Sequence, residues 1–222
     1  MPIKQLLDNF YAENERDAKK QEHFYVSDVG HCGRAIFFNF KGVKKAKLDP
    51  RMCRIFSMGD TLHNNIFSQM YHIPSIKIIG SEVRMPENGL ISGRCDAIVL
   101  IGGELFVIDI KSINSFIFKK MENAQIENIQ QVQLYLHFFN IQKGIVLYID
   151  KDRQEIREYI VSYAPLEVHY ILENFKKLKK QIDENEVPKR LSDYPSGWQC
   201  RYCRFKSHCD LQGCSKTLIY GK

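Results

Sequence analysis

Apolar residues recur at helical spacing near both ends of the chain and form strand-like runs in its middle. Apolar positions repeated every three or four residues predict helices over four segments: residues 3–20, 51–72, 113–140 and 165–185. Ser27 is the expected N-cap of a further short helix that runs through Cys32 to Phe40. The tail after Pro188 shows no such pattern and is expected to be irregular.

Five runs rich in β-branched and apolar residues predict strands: IKIIGSEVRM, LISGRCDAIVL, ELFVIDIKS, KGIVLYID and EIREYIVSY. Gly102 and Gly103 separate the second run from the third, which is a strong signal for a two-residue hairpin turn. In chain order the elements are helices, three strands, a helix, two strands, a helix and a cysteine-bearing tail. This order predicts a mixed α/β layer architecture.

The predicted hairpin brings two aspartates together. Asp96 and Asp109 each lie six residues from the nearer turn glycine, so they should face each other across the two strands with Cβ atoms about 5 Å apart. Lys111 follows Asp109 by two positions and therefore points to the same side of the sheet. Two like charges this close repel, and the usual remedy is a bound cation or a shared proton. A bulge in either strand would break this register.

Two convergent carboxylates and a lysine suit the hydrolysis of a phosphodiester. Hard divalent cations such as Mg²⁺ and Mn²⁺ prefer oxygen ligands. A bound cation lowers the pKa of an attacking water, and a lysine stabilises the charge that develops nearby. The alternative interpretation of Asp109 and Lys111 is an ordinary surface ion pair.

Three residues on predicted helices fit the same site. His63 could supply a nitrogen ligand or position a water, although a lone histidine on a helix is more often a surface or core residue. Gln131 and Tyr135 are four residues apart, so they share one helix face and could brace the lysine or contact the scissile phosphate. The alternative is an amphipathic helix with a core stripe at Val132 and Leu136.

Composition and charge indicate a globular protein with an acidic binding partner. The chain has 222 residues, 44% hydrophobic and 26% charged, which excludes a disordered or fibrous protein. The net charge is +6, and the segment from Phe175 to Lys222 carries all of that excess, with 11 basic and 5 acidic residues. Such asymmetry indicates an acidic polymer, nucleic acid first, although KKLKK could also be a solvated helix face. The candidate contacts to a DNA backbone are Lys176, Lys177, Lys179, Lys180, Arg201 and Arg204.

The cysteines indicate a metal or cluster site. No apolar run is long enough to span a membrane, and the first residues lack a secretory signal. We therefore expect a cytoplasmic protein with no membrane association, whose seven cysteines are reduced thiols or metal ligands. Cys53 and Cys95 lie in apolar contexts and are expected to be core residues.

Cys200-x-x-Cys203, followed after five residues by Cys209, has metal-ligand spacing. A fourth thiolate is needed, and Cys32 at a capped helix start is the preferred candidate, with Cys214 as the local rival. Four thiolates suit [4Fe–4S], [2Fe–2S] and Zn²⁺ alike, and unligated thiols in the tail are the alternative.

These motifs, in this order, resemble the RecB-like branch of the PD-(D/E)xK nuclease superfamily. The matching positions are His63, Gly93-x-x-Asp96, Asp109-x-Lys111 and Gln131-x-x-x-Tyr135. The resemblance implies a nuclease core with a central mixed sheet flanked by helices. It implies metal ligation by His63, Asp96, Asp109 and the backbone carbonyl of Ile110, and catalytic assistance by Lys111, Gln131 and Tyr135. Glu82 lies where many relatives carry a strand glutamate. The proline of the family name is absent, because Cys95 precedes Asp96.

One early and three late cysteines around such a core resemble the iron–sulfur nucleases, above all the CRISPR-associated RecB-like exonucleases, the family of Cas protein number four. That resemblance implies a [4Fe–4S] cluster on Cys32, Cys200, Cys203 and Cys209, in a C-terminal cap attached to the N-terminal region. It implies a nuclease domain over residues 1–190 and a cluster-binding segment over 191–222.

The resemblance also implies a function: Mg²⁺- or Mn²⁺-dependent cutting of single-stranded DNA ends, often 5′ to 3′, beside a CRISPR integrase. Two alternatives stay open at this point. The same chemistry could serve viral or cellular recombination and repair, or the chain could be a non-catalytic nucleic-acid-binding subunit. The oligomeric state is not predicted by any of these patterns.

Overall fold

The computed structural model describes residues 2–14 and 20–211. The helices are α1 (Ile3–Glu13), α2 (Gly33–Phe40), α3 (Pro50–Met70), α4 (Ser115–Lys120), α5 (Ile126–Phe139), α6 (Pro165–Asp183), α7 (Trp198–Arg201) and α8 (Lys206–Leu211). The strands are β1 (Phe24–Tyr25), β2 (Ile76–Arg84), β3 (Ile91–Ser92), β4 (Arg94–Ile101), β5 (Glu104–Ile113), β6 (Lys143–Asp150) and β7 (Ile156–Ser162).

The centre of the fold is a mixed five-stranded sheet in the order β2-β4-β5-β6-β7. Only β5 and β6 pair in parallel; the other neighbours are antiparallel. A parallel pair needs a crossover, and α4 and α5 provide it between these two strands. A separate short pair joins β1 and β3 in parallel. The predicted mixed α/β fold with a central mixed sheet flanked by helices is confirmed.

The β4–β5 hairpin has the predicted register. Its ladder runs from Ile101 opposite Glu104 to Ala97 opposite Ile108, so Gly102 and Gly103 form the turn. Both glycines have positive φ, as a tight turn of this kind requires. The backbone pairing stops one step before Asp96 and Asp109, and beyond that step β5 pairs with β6 alone.

Apolar side chains cover both faces of the sheet. On one face Ala97, Val99, Ile108 and Ile110 form a buried cluster with Met70 of α3. On the opposite face α5 packs, and its residues Val132, Leu134 and Leu136 are fully buried. The catalytic-site candidates of β4 and β5 therefore lie in strands that are fixed by packing on both sides.

Two helix predictions need correction. Ser27 is not the N-cap of a helix that reaches Phe40: it lies in a 3₁₀ turn over Val26–Asp28, and α2 begins only at Gly33 with Cys32 as its N-cap. Gly30 interrupts the helix with φ +73°, and a Cβ at this residue would lie 3.0 Å from Glu127 Cβ. Local spacing alone did not reveal this close approach.

The long helix predicted over residues 113–140 is in fact two helices. The segment between α4 and α5 leaves the helical path, and side chains from other strands satisfy its backbone. The Arg157 guanidinium donates to the carbonyls of Phe118 and Met121, and the Gln125 amide donates to the Tyr148 hydroxyl at 3.0 Å. Tertiary hydrogen bonds of this kind are not visible in a helical spacing pattern.

The described residues divide into two compact units. One comprises residues 1–22, 31–54 and 176–222, and the other comprises residues 23–30 and 55–175, with the whole sheet. The predicted boundary between residues 190 and 191 lies inside the first unit and stays a prediction. Among the described residues, no helix is both long and apolar enough to cross a membrane.

Gly93, the first residue of the Gly93-x-x-Asp96 motif, is fixed by packing. A Cβ at this position would overlap Cγ2 of the buried Val26 and would lie 3.0 Å from Met85 Sδ. We expect Gly93→Ala to lower the free energy of unfolding by about 1–3 kcal/mol, the usual cost of overpacking. Urea denaturation measures this loss. Gly33→Ala is the control, because its Cβ would meet only ordinary contacts at 3.5 Å and beyond; equal effects of the two variants would contradict the packing argument.

Candidate active site

The site lies where the β4–β5 ladder ends. Asp96 belongs to the first half of β4, and Asp109 and Lys111 belong to the second half of β5. Because the ladder stops at the Ala97–Ile108 pair, the Ile110 amide has no strand partner from β4. It donates instead to Asp96 Oδ2 at 2.6 Å. The carboxylate thus replaces a backbone acceptor at the point where the strands cease to pair.

Asp109 is a buried carboxylate that lies against a lysine. Its side chain is 3% exposed, and Lys111 Nζ lies 3.0 Å from Oδ1 and 2.9 Å from Oδ2. Lys111 Nζ donates a hydrogen bond to Oδ1, whereas the buried Oδ2 lies beside the same ammonium but receives no hydrogen bond from the described residues. A buried acceptor that is left unsatisfied costs free energy, and Asp109 therefore retains a lone pair for another ligand.

The environment of Asp96 favours its neutral form. Burial is the main cause, the charge of Asp109 adds to it, and together they raise the pKa of Asp96 to about 7. The hydrogen bond from the Ile110 amide and the charge of Lys111 oppose this rise. A carboxyl group that is destabilised by a neighbouring carboxylate is the electrostatic situation that a cation relieves.

His63 reaches the same place from α3. Its Nδ1 lies 3.9 Å from Asp96 Oδ2, and the side chain is 32% exposed. Burial and the charge of Lys111 lower the pKa of His63, against the opposing effect of Asp109. A lowered pKa favours the neutral imidazole at pH 7, which is the form that binds metal ions.

A chain of hydrogen bonds through two residues of α5, Gln131 and Tyr135, fixes the position of the Lys111 ammonium. Lys111 Nζ donates to Gln131 Oε1 at 3.1 Å, Gln131 Nε2 donates to the Tyr135 hydroxyl at 3.4 Å, and that hydroxyl donates to the Arg94 carbonyl at 2.8 Å. Burial raises the pKa of Tyr135, so its hydroxyl stays protonated and remains a donor. Gln131 and Tyr135 thus brace Lys111 and connect α5 to the start of β4.

Sequence reasoning missed most of the pocket beside these residues. A pocket of about 280 Å³ opens next to Asp96, and its lining residues are His63, Asn64, Phe67, Ser68, Tyr71, Ser81, Glu82, Asp96 and Ile110. The missed α3 residues follow His63 at helical spacing, which was the available signal. Glu82 was noted at sequence level only as an equivalent of a family glutamate.

Glu82 has an unusual backbone for a strand residue. Its φ is +52°, and its carboxylate pairs with Arg94 Nε at 2.5 Å. A non-glycine residue in the left-handed region carries strain, which is tolerated most often at functional sites. The residue lies between Ser81 and Val83, which pair with Ala97 and Cys95 on either side of Asp96.

The donor set fits a hard divalent cation. Two carboxyl groups and an imidazole with a lowered pKa lie near one another, Asp109 Oδ2 receives no hydrogen bond from the described residues, and burial together with the charge of Asp109 raises the pKa of Asp96. Within residues 2–14 and 20–211, however, no three histidine, cysteine or acidic side chains are gathered closely enough to form a complete ligand group. In this structure the ammonium of Lys111 supplies the positive charge beside Asp109.

The four cysteines of the predicted cluster, Cys32, Cys200, Cys203 and Cys209, all belong to the other unit. Burial and the charges of Cys32 and Cys209 raise the pKa of Cys200. Burial and the charges of Cys32, Cys209 and Cys200 also raise the pKa of Cys203. Among residues 2–14 and 20–211, no three of these thiols form a group that could hold a metal, so the predicted four-thiolate set with Cys32 stays a prediction. Cys214, the rival ligand, lies outside the described residues.

Hydrogen bonds fix the segments that carry these thiols. The Cys32 amide donates to Gln199 Oε1 at 2.7 Å, and the Phe205 amide donates to Cys203 Sγ at 3.4 Å. Arg34 Nη1 lies 3.7 Å from Cys209 Sγ as a donor. Cys95 is elsewhere, buried in β4, and its pKa is raised to about 12, so it is a core thiol as expected.

The predicted DNA-contacting residues differ in exposure and in the ion pairs and hydrogen bonds that they make. Lys176, Lys177 and Arg201 are exposed. Lys179 is paired with Asp183 at 2.6 Å, and Arg204 Nε donates to the Ala46 carbonyl at 2.6 Å. An exposed ion pair such as Lys179–Asp183 costs little free energy to break, so Lys179 remains available to DNA. Arg204, in contrast, is engaged by its hydrogen bond to the backbone of Ala46.

A family model of the PD-(D/E)XK nuclease superfamily matches residues 13–210. The chain belongs to this nuclease superfamily. It is 26% identical over 213 residues to the CRISPR-associated exonuclease Cas4 of Saccharolobus solfataricus, which covers 92% of this chain and 95% of the relative.

Solved structures agree on the fold. The crystal structure of SSO0001 aligns with a TM-score of 0.61 at 25% identity, covering 93% of this chain and 95% of that one. The alkaline exonuclease LHK-Exo from Laribacter hongkongensis aligns with a TM-score of 0.56 at 11% identity, covering 80% of this chain and 94% of that one.

The burial of the Asp109–Lys111 pair predicts a large stability effect. Lys111→Ala leaves a nearly inaccessible carboxylate without its counter-charge, and we expect the free energy of unfolding to fall by about 3 kcal/mol in EDTA. Lys143→Ala is the matched control, because its pair with Glu104 has the same 2.9 Å distance but both side chains are over 40% exposed. That exposed pair is expected to contribute about 1 kcal/mol or less. Comparable losses in urea denaturation would show that burial is not what makes Lys111 important.

Proposed function

We propose that this protein is a divalent-metal-dependent DNA exonuclease that acts on single-stranded ends and carries a structural iron–sulfur cluster. The observation that carries the proposal is the buried Asp109–Lys111 pair beside Asp96, with an orphaned acceptor on Asp109. Membership of the nuclease superfamily supports the reaction class, and the excess basic charge after residue 174 supports a nucleic-acid substrate.

Asp96, Asp109, His63 and the Ile110 carbonyl are the proposed ligands of Mg²⁺ or Mn²⁺. Such a cation, when bound, lowers the pKa of a water and neutralises charge on the phosphate. The chain supplies the arrangement. The hairpin sets the carboxylates on adjacent strands, and the Ile110 amide orients the Asp96 carboxylate through its 2.6 Å hydrogen bond. The fixed hydrogen bond restricts how Asp96 can rotate toward a ligand.

Lys111 is the proposed electrostatic stabiliser of the attack. With a cation bound at Asp109, the Lys111 ammonium would be held less tightly by its ion pair and would be placed to contact the water or a phosphate oxygen. Gln131 Oε1 keeps the ammonium in place at 3.1 Å, and Tyr135 keeps Gln131 in place. Positioning of this kind is worth much in catalysis, because small displacements of a reacting group reduce the rate strongly.

Cys32, Cys200, Cys203 and Cys209 are the proposed ligands of a [4Fe–4S] cluster, with [2Fe–2S] and zinc as less favoured occupants. The Cys200-x-x-Cys203 spacing supports the set, and so do the hydrogen bonds from the Cys32 amide to Gln199 and from Arg34 to Cys209 Sγ, which connect the start of α2 to this segment. A cluster would join the start of α2 to the segments around α7 and α8, which contain few buried apolar residues of their own. Its role would therefore be structural.

The CRISPR setting is proposed from the relative. The Saccharolobus solfataricus protein is named a CRISPR-associated exonuclease, and it matches this chain over 92% of its length. We therefore propose that this nuclease trims spacer precursors beside an integrase, with 5′ to 3′ polarity. A cytoplasmic location belongs to the same proposal.

Removing the Asp109 charge tests the active site. We expect Asp109→Asn to reduce Mg²⁺- or Mn²⁺-dependent cutting of end-labelled single-stranded DNA by about 100-fold or more, because a metal ligand is lost, while DNA binding persists. Glu104→Gln, an exposed carboxylate at the other end of the same strand, should cut at the wild-type rate. Wild-type cutting by Asp109→Asn would show that the site is misassigned.

The cluster assignment has its own test. We expect Cys203→Ser, purified without oxygen, to lose the iron, the acid-labile sulfide and the visible absorbance of the wild-type protein, because four thiolates hold the cluster. Cys53→Ser, a half-buried thiol outside the proposed set, should retain all three. Stoichiometric zinc and a colourless wild type would exclude an iron–sulfur cluster.

A further inference from the structure

We propose that Tyr71 is a substrate-binding residue that stacks on an unpaired DNA base in the pocket beside Asp96. The inference rests on the proposed nuclease function and deepens it, because it identifies which part of the substrate α3 contacts and why the end should be single-stranded. The position of the ring, its exposure and the way it is supported carry the argument.

The C-terminal half of α3 forms one wall of the pocket. His63 and Phe67 are four residues apart on one face of α3, and Tyr71 follows Phe67 by four more positions, directly after the last helical residue, Met70. Asp96 and Ile110 contribute to the same pocket from the sheet. Tyr71 lies eight positions after His63, which corresponds to about 12 Å at the rise of a helix. A phosphate held near Asp96 and His63 would therefore have Tyr71 within reach of an adjoining nucleotide.

Tyr71 is not required to fill the core. Tyr71 is 61% exposed, whereas Met70 and Phe67 pack against the sheet. Among the described residues no hydrogen bond to the Tyr71 hydroxyl is recorded. Covering an exposed aromatic ring with a flat apolar surface is favourable, because the ring is removed from water and stacks on that surface.

Phe67 supports the ring from the core side. The two ring centroids are 5.9 Å apart at an interplanar angle of 72°, an edge-to-face contact. Phe67 itself packs against the buried cluster of the sheet. A ring that is held from one side is a preorganised stacking surface, because less side-chain freedom remains to be lost on binding.

The polar neighbours of Tyr71 suit the rest of a nucleotide. Asn64 and Ser68 are exposed and line the same pocket. Amide and hydroxyl groups of this kind bind phosphate and sugar oxygens without regard to sequence. Stacking on an aromatic side chain is likewise tolerant of sequence, but it requires a base that is free of its duplex neighbours. A pocket built in this way favours single-stranded over double-stranded ends.

The test compares Tyr71→Ala, Tyr71→Phe and Tyr170→Ala. Tyr170 lies in the same compact unit, is 68% exposed and is absent from the pocket lining, so it is the matched control. The probe is a short single-stranded oligonucleotide with 2-aminopurine at its end, bound in EDTA so that no cutting occurs. We expect Tyr71→Ala to weaken binding by about 5- to 150-fold and to abolish the change in 2-aminopurine fluorescence, since one stacked base is lost.

Tyr71→Phe retains the ring and is expected to bind within about twofold of wild type, and Tyr170→Ala should be indistinguishable from it. A melting curve of each variant separates stacking from folding; if Tyr71→Ala is less stable, Tyr71→Leu, which keeps apolar bulk without an aromatic ring, takes its place in the comparison. Wild-type affinity and fluorescence in Tyr71→Ala, together with Mg²⁺-dependent cutting by the wild type, overturn this inference alone. A wild type that neither binds nor cuts DNA overturns the proposed function as well.

Discussion

The repulsion between two carboxylates that one hairpin places on facing strand positions is the constraint on which the candidate site depends. Burial and this repulsion together raise the pKa of Asp96 to about 7, while Asp109 stays buried against an ammonium. Both sides of this balance come from β5: Lys111 supplies a charge, and the Ile110 amide supplies a hydrogen bond. A buried pair of this kind contributes little net stability, so its persistence in the core is better explained by chemistry than by folding.

The packing around the pair makes the charge balance specific. Gln131 and Tyr135 lie on α5 among fully buried residues, so the lysine is held by a helix that the core itself immobilises. The hydrogen bond from Tyr135 to the Arg94 carbonyl returns to the strand that carries Asp96. The core therefore fixes the positions of both Lys111 and Asp96. A displacement of either β4 or β5 would change the positions of both residues.

The hairpin could be predicted because its information is local. Gly102 and Gly103 set the turn, and the turn sets the register as far as the Ala97–Ile108 pair, one step before Asp96 and Asp109. The break of the predicted helix at residues 121–125 could not be predicted, because it depends on Arg157 and Tyr148 from distant strands. The start of α2 was missed for a similar reason, since Gly30 is required by a close approach to α5. Most of the pocket lining was missed because exposed polar and aromatic residues on a helix look like ordinary surface in a sequence.

The second half of α3, together with Tyr71 directly after it, packs on the sheet with one set of residues and lines the pocket with another. Ile66 and Met70 must be apolar and buried against the sheet, while Asn64, Ser68 and Tyr71 face a pocket that must stay open to solvent. A helix optimised for stability alone would not keep a tyrosine 61% exposed next to a destabilised carboxyl group. Both features line one pocket, so a ligand that brings a cation-bound phosphate to the carboxyl groups and a flat aromatic surface to the tyrosine would satisfy both. A nucleotide has that form, and a simple anion or an apolar molecule has only one half of it.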